Sequence, residues 1–329
     1  MLMFRSRRNG LAKRLWRARI SGNEEGREVI KRLLKRLNDD QLEMLAEAVE
    51  CRGGDATGCI QLDQPAEWDS PQLVACQVWR WPDLTTCREL KRLPICRSAT
   101  SVCCNPYHWS RLLQLEAPPP PYCRSSCERL KPEDRAPSES SQPELRGSLS
   151  TNGEGDSEAC GQWCRLAYWE LSQRIGRQYP VENNFVNVFG SLPRGDGLSL
   201  ATLAMQKTPN PDVLKAREKI GRGVTLSKED DGVWAYNMSD NPVFVNSPAL
   251  DDPDSSFCIV YKVPPGYCLN VFTETARCKP WTTISRPHIG PIDPFSIRIS
   301  FTKGWGPKYT RQEVTSCPTW LEILLAPCR

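Results

Sequence analysis

Apolar residues recur three and four apart early in the chain. Val29, Ile30, Leu33, Leu34 and Leu37 fall on one side of a helix, with Lys31, Arg32, Lys35 and Arg36 on the other. The spacing predicts one buried face and one basic face. Asn38 and Asp39 interrupt the pattern, and Asp40 with Glu43 three residues on predicts a capped start to a second helix carrying Leu42, Leu45 and Val49. After Cys51 the periodicity gives way to Gly, Pro and Cys. Beyond residue 160 it becomes a series of short apolar runs between turns: CRLAYWEL, NFVNVF, GVWAYN, PVFVNS, FCIVYKV, SIRISF and WLEILL. Runs of this composition predict strands, and so many in one unit predict a β-sandwich. One helix is expected among them, Asp212 to Ile220. It places Lys215 and Lys219 four apart on one face, where like charges repel unless a partner neutralises them.

Between the two patterns, residues 116–159 contain no Val, Ile, Phe, Trp or Met and cannot bury enough apolar surface to offset the entropy of ordering. The expected organisation is a basic arm at 1–26, an amino-terminal unit at 27–115, a linker at 116–159 and a carboxy-terminal unit at 160–329. A length of 329 residues agrees with two domains. The formal net charge is only +4, but residues 1–37 hold 12 basic and 3 acidic residues, so positive charge is concentrated at the amino end. Solubility is one reading of that charge; phosphate contact or nuclear import is another. The first 20 residues carry seven Lys or Arg without an apolar core, and no run is long and apolar enough to cross a bilayer. The chain is expected to stay inside the cell, with no membrane insertion.

In that compartment thiols are reduced, so the seven cysteines from Cys51 to Cys104 point to metal ligation rather than disulfides. CCNPYH joins a cysteine to His108 through a Pro-containing turn, Cys96 lies just upstream, and Cys59 can close the set from a more distant loop. Three thiolates and one imidazole leave no open coordination position, the mark of a structural zinc site. Spacing does not separate Cys103 from Cys104, and buried free cysteines beside a satisfied histidine are the plain alternative. A Cys and His nucleophilic pair is the sharper rival, but the sequence offers no third group to orient it. In the linker, Pro118 to Pro121 favour the polyproline II conformation. Pro119, Pro120 and Tyr122 fit the Pro-Pro-x-Tyr ligand of WW domains, a stiff spacer with an incidental tyrosine being the alternative.

MFRSRRNGLAKRLWRAR, CQVWRWPDL, CCNPYHWSRL, PPPPY, GVWAYN, PVFVNSPALD, VPPGY and ISFTKGWGPKYTRQ together resemble an inhibitory Smad over nearly the whole chain. The resemblance implies an α+β multidomain protein. Its parts are a small zinc-bound α+β amino-terminal Mad-homology domain, a disordered linker, and a carboxy-terminal Mad-homology, FHA-like β-sandwich with a helical bundle. It implies one structural zinc ion on Cys59, Cys96, Cys103 and His108, and recruitment by the linker motif of HECT-type ubiquitin ligases with WW domains. It also implies a receptor-facing groove at Lys215, Lys219, Lys303 and Arg311. Trp305, between two glycines, anchors the loop of that groove, or is simply a packed tryptophan. Clusters of Lys and Arg recognise phosphorylated segments through charge-assisted hydrogen bonds.

The expected function is that of a non-enzymatic inhibitor of TGF-β superfamily signalling, with the bone morphogenetic protein branch the nearer expectation, active in nucleus and cytoplasm. It would compete for activated type I receptor serine/threonine kinases, or for receptor-activated and common-partner Smads, and bring a ubiquitin ligase. Two departures shape this expectation. Where DNA-binding Smads carry a basic hairpin, IQLDQPAEWDSPQLVA has no Lys or Arg and holds Asp63, Glu67 and Asp69. DNA contact is therefore expected to be weak or indirect, and a DNA-binding transcriptional regulator or co-repressor is the alternative. The sequence stops at WLEILLAPCR, without the Ser-x-Ser pair that receptor kinases phosphorylate, so activation by that switch is not expected.

Overall fold

The computed structural model describes residues 2–20, 25–54, 57–62, 70–98, 102–114, 161–191, 196–205, 210–251, 259–273, 285–286, 290–291, 293 and 295–326. Three helices open the chain: α1 (Leu2–Arg17), α2 (Glu25–Arg36) and α3 (Asp39–Glu50). Ile30, Leu33 and Leu37 are buried and the four basic residues between them are exposed, as the spacing predicts. The segment read as an arm contributes Leu11 and Leu15 from α1 to the same core. Its cations are engaged: Arg7 pairs with Glu43 and Arg14 with Glu50, each at 2.5 Å, and Arg8 with Asp39 at 2.7 Å. Arg8 also donates to the carbonyls of Leu34 and Leu37, at 2.9 and 2.8 Å, satisfying oxygens that the end of α2 leaves open.

The start of α3 corrects the sequence reading. Its cap is Asn38, not Asp40. The Asn38 side chain accepts from the Gln41 N–H at 2.8 Å, and the Gln41 side chain accepts from the Asn38 N–H at 2.9 Å. The reciprocal box closes two residues early, on Gln41, while Glu43 pairs with Arg7. The amino-terminal domain continues through β1 (Gln61–Leu62), α4 (Pro71–Trp79), β2 (Leu90–Arg92), β3 (Val102–Cys103) and β4 (Trp109–Leu112). Val74, Ala75, Val78 and Trp79 of α4 join the core of the first three helices, and β1 pairs antiparallel with β3.

The carboxy-terminal domain contains β5 (Cys164–Glu170), β6 (Gln173–Val181), β7 (Phe185–Phe189), β8 (Leu198–Ser199), α5 (Leu200–Leu203), α6 (Pro211–Glu218), β9 (Val224–Glu229), β10 (Gly232–Asn237), β11 (Val243–Asn246) and β12 (Tyr261–Val263). It ends with β13 (Tyr267–Thr273), the short pair β14 (Ser285–Arg286) and β15 (Gly290–Pro291), β16 (Ser296–Phe301) and β17 (Trp320–Leu325). One sheet runs β12-β11-β16-β17-β5-β6. It faces a second sheet containing β13-β10-β9-β7-β8 across a continuous core that includes Leu166, Tyr168, Val188, Leu226, Val245, Val271, Ile299 and Ile323. Each of the seven expected runs carries a strand; β6, β9, β13 and the two-residue β8, β14 and β15 were not anticipated. The expected helix is α6, capped by the Asn210 side chain, which accepts from the Asp212 N–H. Among the described residues the α-helices of this domain are α5 and α6, and no bundle is seen.

The second sheet does not stop at the domain boundary. Its order is β2-β4-β13-β10-β9-β7-β8, so two amino-terminal strands extend it. β4 lies parallel to β13, with Arg111 opposite Tyr267 and Leu112 opposite Cys268. The Ser110 hydroxyl donates to the Gly266 carbonyl at 2.7 Å, and Lys91 pairs with Glu229 at 2.7 Å while resting 3.8 Å from the centre of the Trp234 ring. No helix among the described residues is long and apolar enough to cross a membrane.

Candidate metal centre and basic surfaces

Four donor groups meet in the amino-terminal domain. Cys59 precedes β1, Cys96 follows β2, Cys103 ends β3, and His108 closes a 3-10 turn at Pro106–His108. That turn is preset by Pro106 and by the Asn105 side chain, which accepts from the Tyr107 N–H at 3.0 Å. The ligand atoms of Cys59, Cys96, Cys103 and His108 all lie within 4.8 Å of one another. Cys59 Sγ is 3.8 Å from Cys96 Sγ, and His108 Nδ1 is 3.5 Å from both Cys59 Sγ and Cys103 Sγ. A tetrahedral ion with bonds of about 2.3 Å to sulfur and about 2.1 Å to nitrogen requires edges of about 3.8 Å and about 3.6 Å. The donors therefore fit a four-coordinate metal ion.

The surroundings prepare the ligands. His108 Nε2 lies 2.9 Å from the Thr57 carbonyl, which can only accept, so Nε2 carries the proton and the Nδ1 lone pair faces the thiols. Hydrogen bonding to Cys103, and secondarily to His108, holds the Cys96 thiol well below its ordinary range, while Cys103 is pushed upward by Cys96 and by burial. Binding of a cation by these thiols releases their protons. Cys104 stands apart. It is buried in the helical core, and burial raises its thiol to about 12. The choice between the adjacent cysteines that spacing left open falls on Cys103. Four protein donors leave no vacant coordination position for an enzyme to use.

The basic residues expected to face a receptor divide into two groups. On α6, Val213 and Ala216 are buried while Lys215 is exposed, as is Lys219 at the end of the helix. Neither lysine makes an ion pair among the described residues, although Asp212 and Glu218 share the helix. Arg217 is engaged instead, donating to Glu170 of β5 at 2.6 and 2.8 Å. Lys303 is exposed in the loop after β16, and Arg311 is partly buried, with its Nε donating to the Ser316 carbonyl at 3.2 Å. The loop is tied to the turn after β5 rather than to α6. The Leu171 N–H donates to the Cys317 carbonyl, and Cys317 Sγ donates to the Lys303 carbonyl. Trp305 is only 4 % exposed and packs with Phe244, Val314, Cys317 and Trp320. It holds the loop from inside and offers little surface to a partner. Pro119, Pro120 and Tyr122 lie outside the described residues, as do Asp63, Glu67 and Asp69.

The residues that join the domains had no local signal. Lys91, Arg111, Gly266 and Tyr267 meet only because distant segments become neighbouring strands.

Comparison with known proteins places two domain families on this chain. The MH1 domain matches residues 26–113 and the MH2 domain residues 161–326. Mothers against decapentaplegic homolog 6 of Gallus gallus is 45 % identical over 317 residues, covering 89 % of this chain and 73 % of that protein. Mothers against decapentaplegic homolog 7 of Homo sapiens is 40 % identical over 329 residues, covering 89 % of this chain and 76 % of that protein.

Proposed function

The chain belongs to the inhibitory Smads, signalling regulators rather than enzymes, and on that premise we propose that it inhibits TGF-β superfamily signalling in the bone morphogenetic protein branch by competing for activated type I receptors and Smad partners. The observation that carries this reading is the exposed couple of Lys215 on α6 and Lys219 at its end, neither of which makes an ion pair among the described residues. Two ammonium groups four residues apart repel each other slightly, and a phosphorylated segment relieves that repulsion while accepting charge-assisted hydrogen bonds. To this surface we add Lys303, exposed on the loop after β16. The test is capture of full-length activated type I receptor by a Lys215→Glu/Lys219→Glu chain. Capture should fall roughly a hundredfold or more, since bonds to charged groups contribute about 1.5–3 kcal/mol each. Unchanged capture rejects the surface.

Occupancy becomes removal if the linker brings a HECT-type ligase, because tethering makes the encounter effectively intramolecular. Tyr122→Ala should then abolish ligase capture with receptor binding intact; ligase retained on that variant excludes the motif. The ion we assign to Cys59, Cys96, Cys103 and His108 is zinc, which favours a closed tetrahedral set of thiolates and imidazole. Its role is to hold β1, β3 and the 3-10 turn together, supplying folding energy rather than chemistry.

A further inference from the structure

Residues of the two domains line a half-open cavity of about 360 Å³, whose charged lining among the described residues consists of three guanidinium groups and one carboxylate. Arg52 and Arg80 come from the amino-terminal domain and Arg222 from the carboxy-terminal one. The carboxylate, Asp240, has an 86 % exposed side chain and approaches Arg222 only to 3.5 Å. Two positive charges remain in excess.

Arg80 is the centre of this arrangement. Its Nη1 donates to the carbonyls of Pro106 and Trp109, and its guanidinium lies 3.9 Å from the centre of the Trp81 ring and 5.1 Å from that of Tyr107. Nε and Nη2 have no hydrogen-bond partner among the described residues, and a guanidinium stacked on aromatic rings retains in-plane donors for a further acceptor. Nη2 lies against Gly266, which has φ +78 and no side chain to collide with it. A sliver of Arg80 stays open to solvent, but the protein crowds it enough to lower its pKa to about 10, first through burial and further through the charge of Arg222. Across the junction Arg222 Nη1 donates to the Arg52 carbonyl at 2.9 Å, where the backbone of Arg52 takes the unusual φ of 50. Three cations thus gather without a matching set of anions among the described residues, and none belongs to the basic residues of α6 and the 303–311 loop.

We propose that this interdomain cavity is a binding site for a small phosphate-bearing anion, a phosphate monoester or free phosphate, bridging Arg80 and Arg222 with Arg52 at the rim. Planar forked donors match phosphate oxygens in pairs, and a dianion balances the excess charge. The volume exceeds what phosphate alone fills, leaving room for an organic remainder beside Tyr107 and Trp81. Because the arginines come from both domains, the ligand recognises the closed junction and stabilises it by mass action.

Calorimetric titration of the full chain with inorganic phosphate, and separately with glycerol 2-phosphate, tests this against sodium chloride of equal ionic strength. Saturable binding is expected, weakened at least about tenfold by Arg222→Gln and by Arg52→Gln. Arg177→Gln, an equal charge change at an exposed position of β6, should leave it unaltered. Circular dichroism establishes that each variant is folded, and Arg80 itself is left in place because it also supports local carbonyls. Tighter binding of glycerol 2-phosphate identifies an esterified ligand, and tighter binding of phosphate the free ion. Affinity weaker than about 10 mM, an equal response to sodium chloride, or unchanged binding by both arginine variants overturns the proposal.

Discussion

Arg217 tests whether the fold presents Lys215 and Lys219 deliberately. Its guanidinium grips the Glu170 carboxylate at 2.6 and 2.8 Å, and the Tyr168 hydroxyl donates to the same carboxylate at 2.9 Å. The two charged side chains are 20 % and 8 % exposed. Arg217→Leu keeps much of the apolar stem but leaves a buried carboxylate without its cation, a loss that costs about 3–5 kcal/mol. With about 4 kcal/mol and a urea dependence of about 2 kcal/mol/M, the unfolding midpoint should fall by about 2 M. The stacked Trp169–Trp320 pair, with ring centres 5.1 Å apart and planes within 9°, adjoins Glu170 and provides the fluorescence signal. Glu170→Leu/Arg217→Leu should recover only part of the loss, because it removes both charges but leaves the buried Tyr168 hydroxyl without its acceptor, at about 1–3 kcal/mol. Receptor capture should weaken in the single variant, since α6 loses its tie to β5. A midpoint shift below about 0.3 M in the single variant, or a double variant as unstable as the single, would show that the pair does not fix the helix.

Two further outcomes concern the amino-terminal domain. Chelation of the metal, or Cys103→Ala, should abolish the thermal transition of that domain, because structural zinc contributes about 10–16 kcal/mol where a whole domain has about 5–15. Cys104→Ala should keep its metal, and metal analysis giving the opposite order would reverse the ligand assignment. Hydrogen bonds from Thr85, with help from Arg111 and Thr86, hold the Glu89 carboxyl down to about 2 from 4.5. A carboxyl lowered in the folded state stabilises above its unfolded pKa, so this contribution should disappear as pH falls from about 4.5 towards 2. Glu89→Gln should flatten the acid limb of stability relative to the parent chain; superimposable limbs would show that Glu89 contributes nothing there.

The elements legible in the sequence were those whose pattern reports their own burial. The stripe from Val29 to Leu37 and runs such as GVWAYN, every residue of which is buried, announce themselves because the side chains alone specify the contact. β6 was silent because it is an edge strand: QRIGRQYPV buries only Ile175 and Val181 and carries Gly and Pro, which weaken any strand signal. β9 was missed because VTLSKE turns polar halfway, although its first four residues are buried. The metal cluster was legible as a set of residue types, but choosing Cys103 over Cys104 required the fold. β3 carries Cys103 to the His108 ring and leaves Cys104 in the helical core. The domain junction was illegible because parallel pairing of β4 with β13 joins segments more than 150 residues apart, and no local periodicity encodes such a register.

The same distinction decides which positive charges can act on a partner. Counted along the chain, residues 1–37 are the most basic stretch and look like the molecule's cationic surface. Folding reverses part of that ranking, because Arg7, Arg8 and Arg14 point at Asp39, Glu43 and Glu50, acids that fall just beyond the window in which the charge was counted. A paired guanidinium must surrender one carboxylate to gain another, so the net gain on binding an anion is small. Lys215 and Lys219 carry only two charges, yet no carboxylate among the described residues pairs with them, while their neighbour Arg217 is taken up by Glu170. An incoming anion therefore meets them without a prior partner to displace. The cations best placed to recognise a phosphorylated partner are those from which the fold withholds an acid, and local charge density in the sequence is a poor guide to which those are.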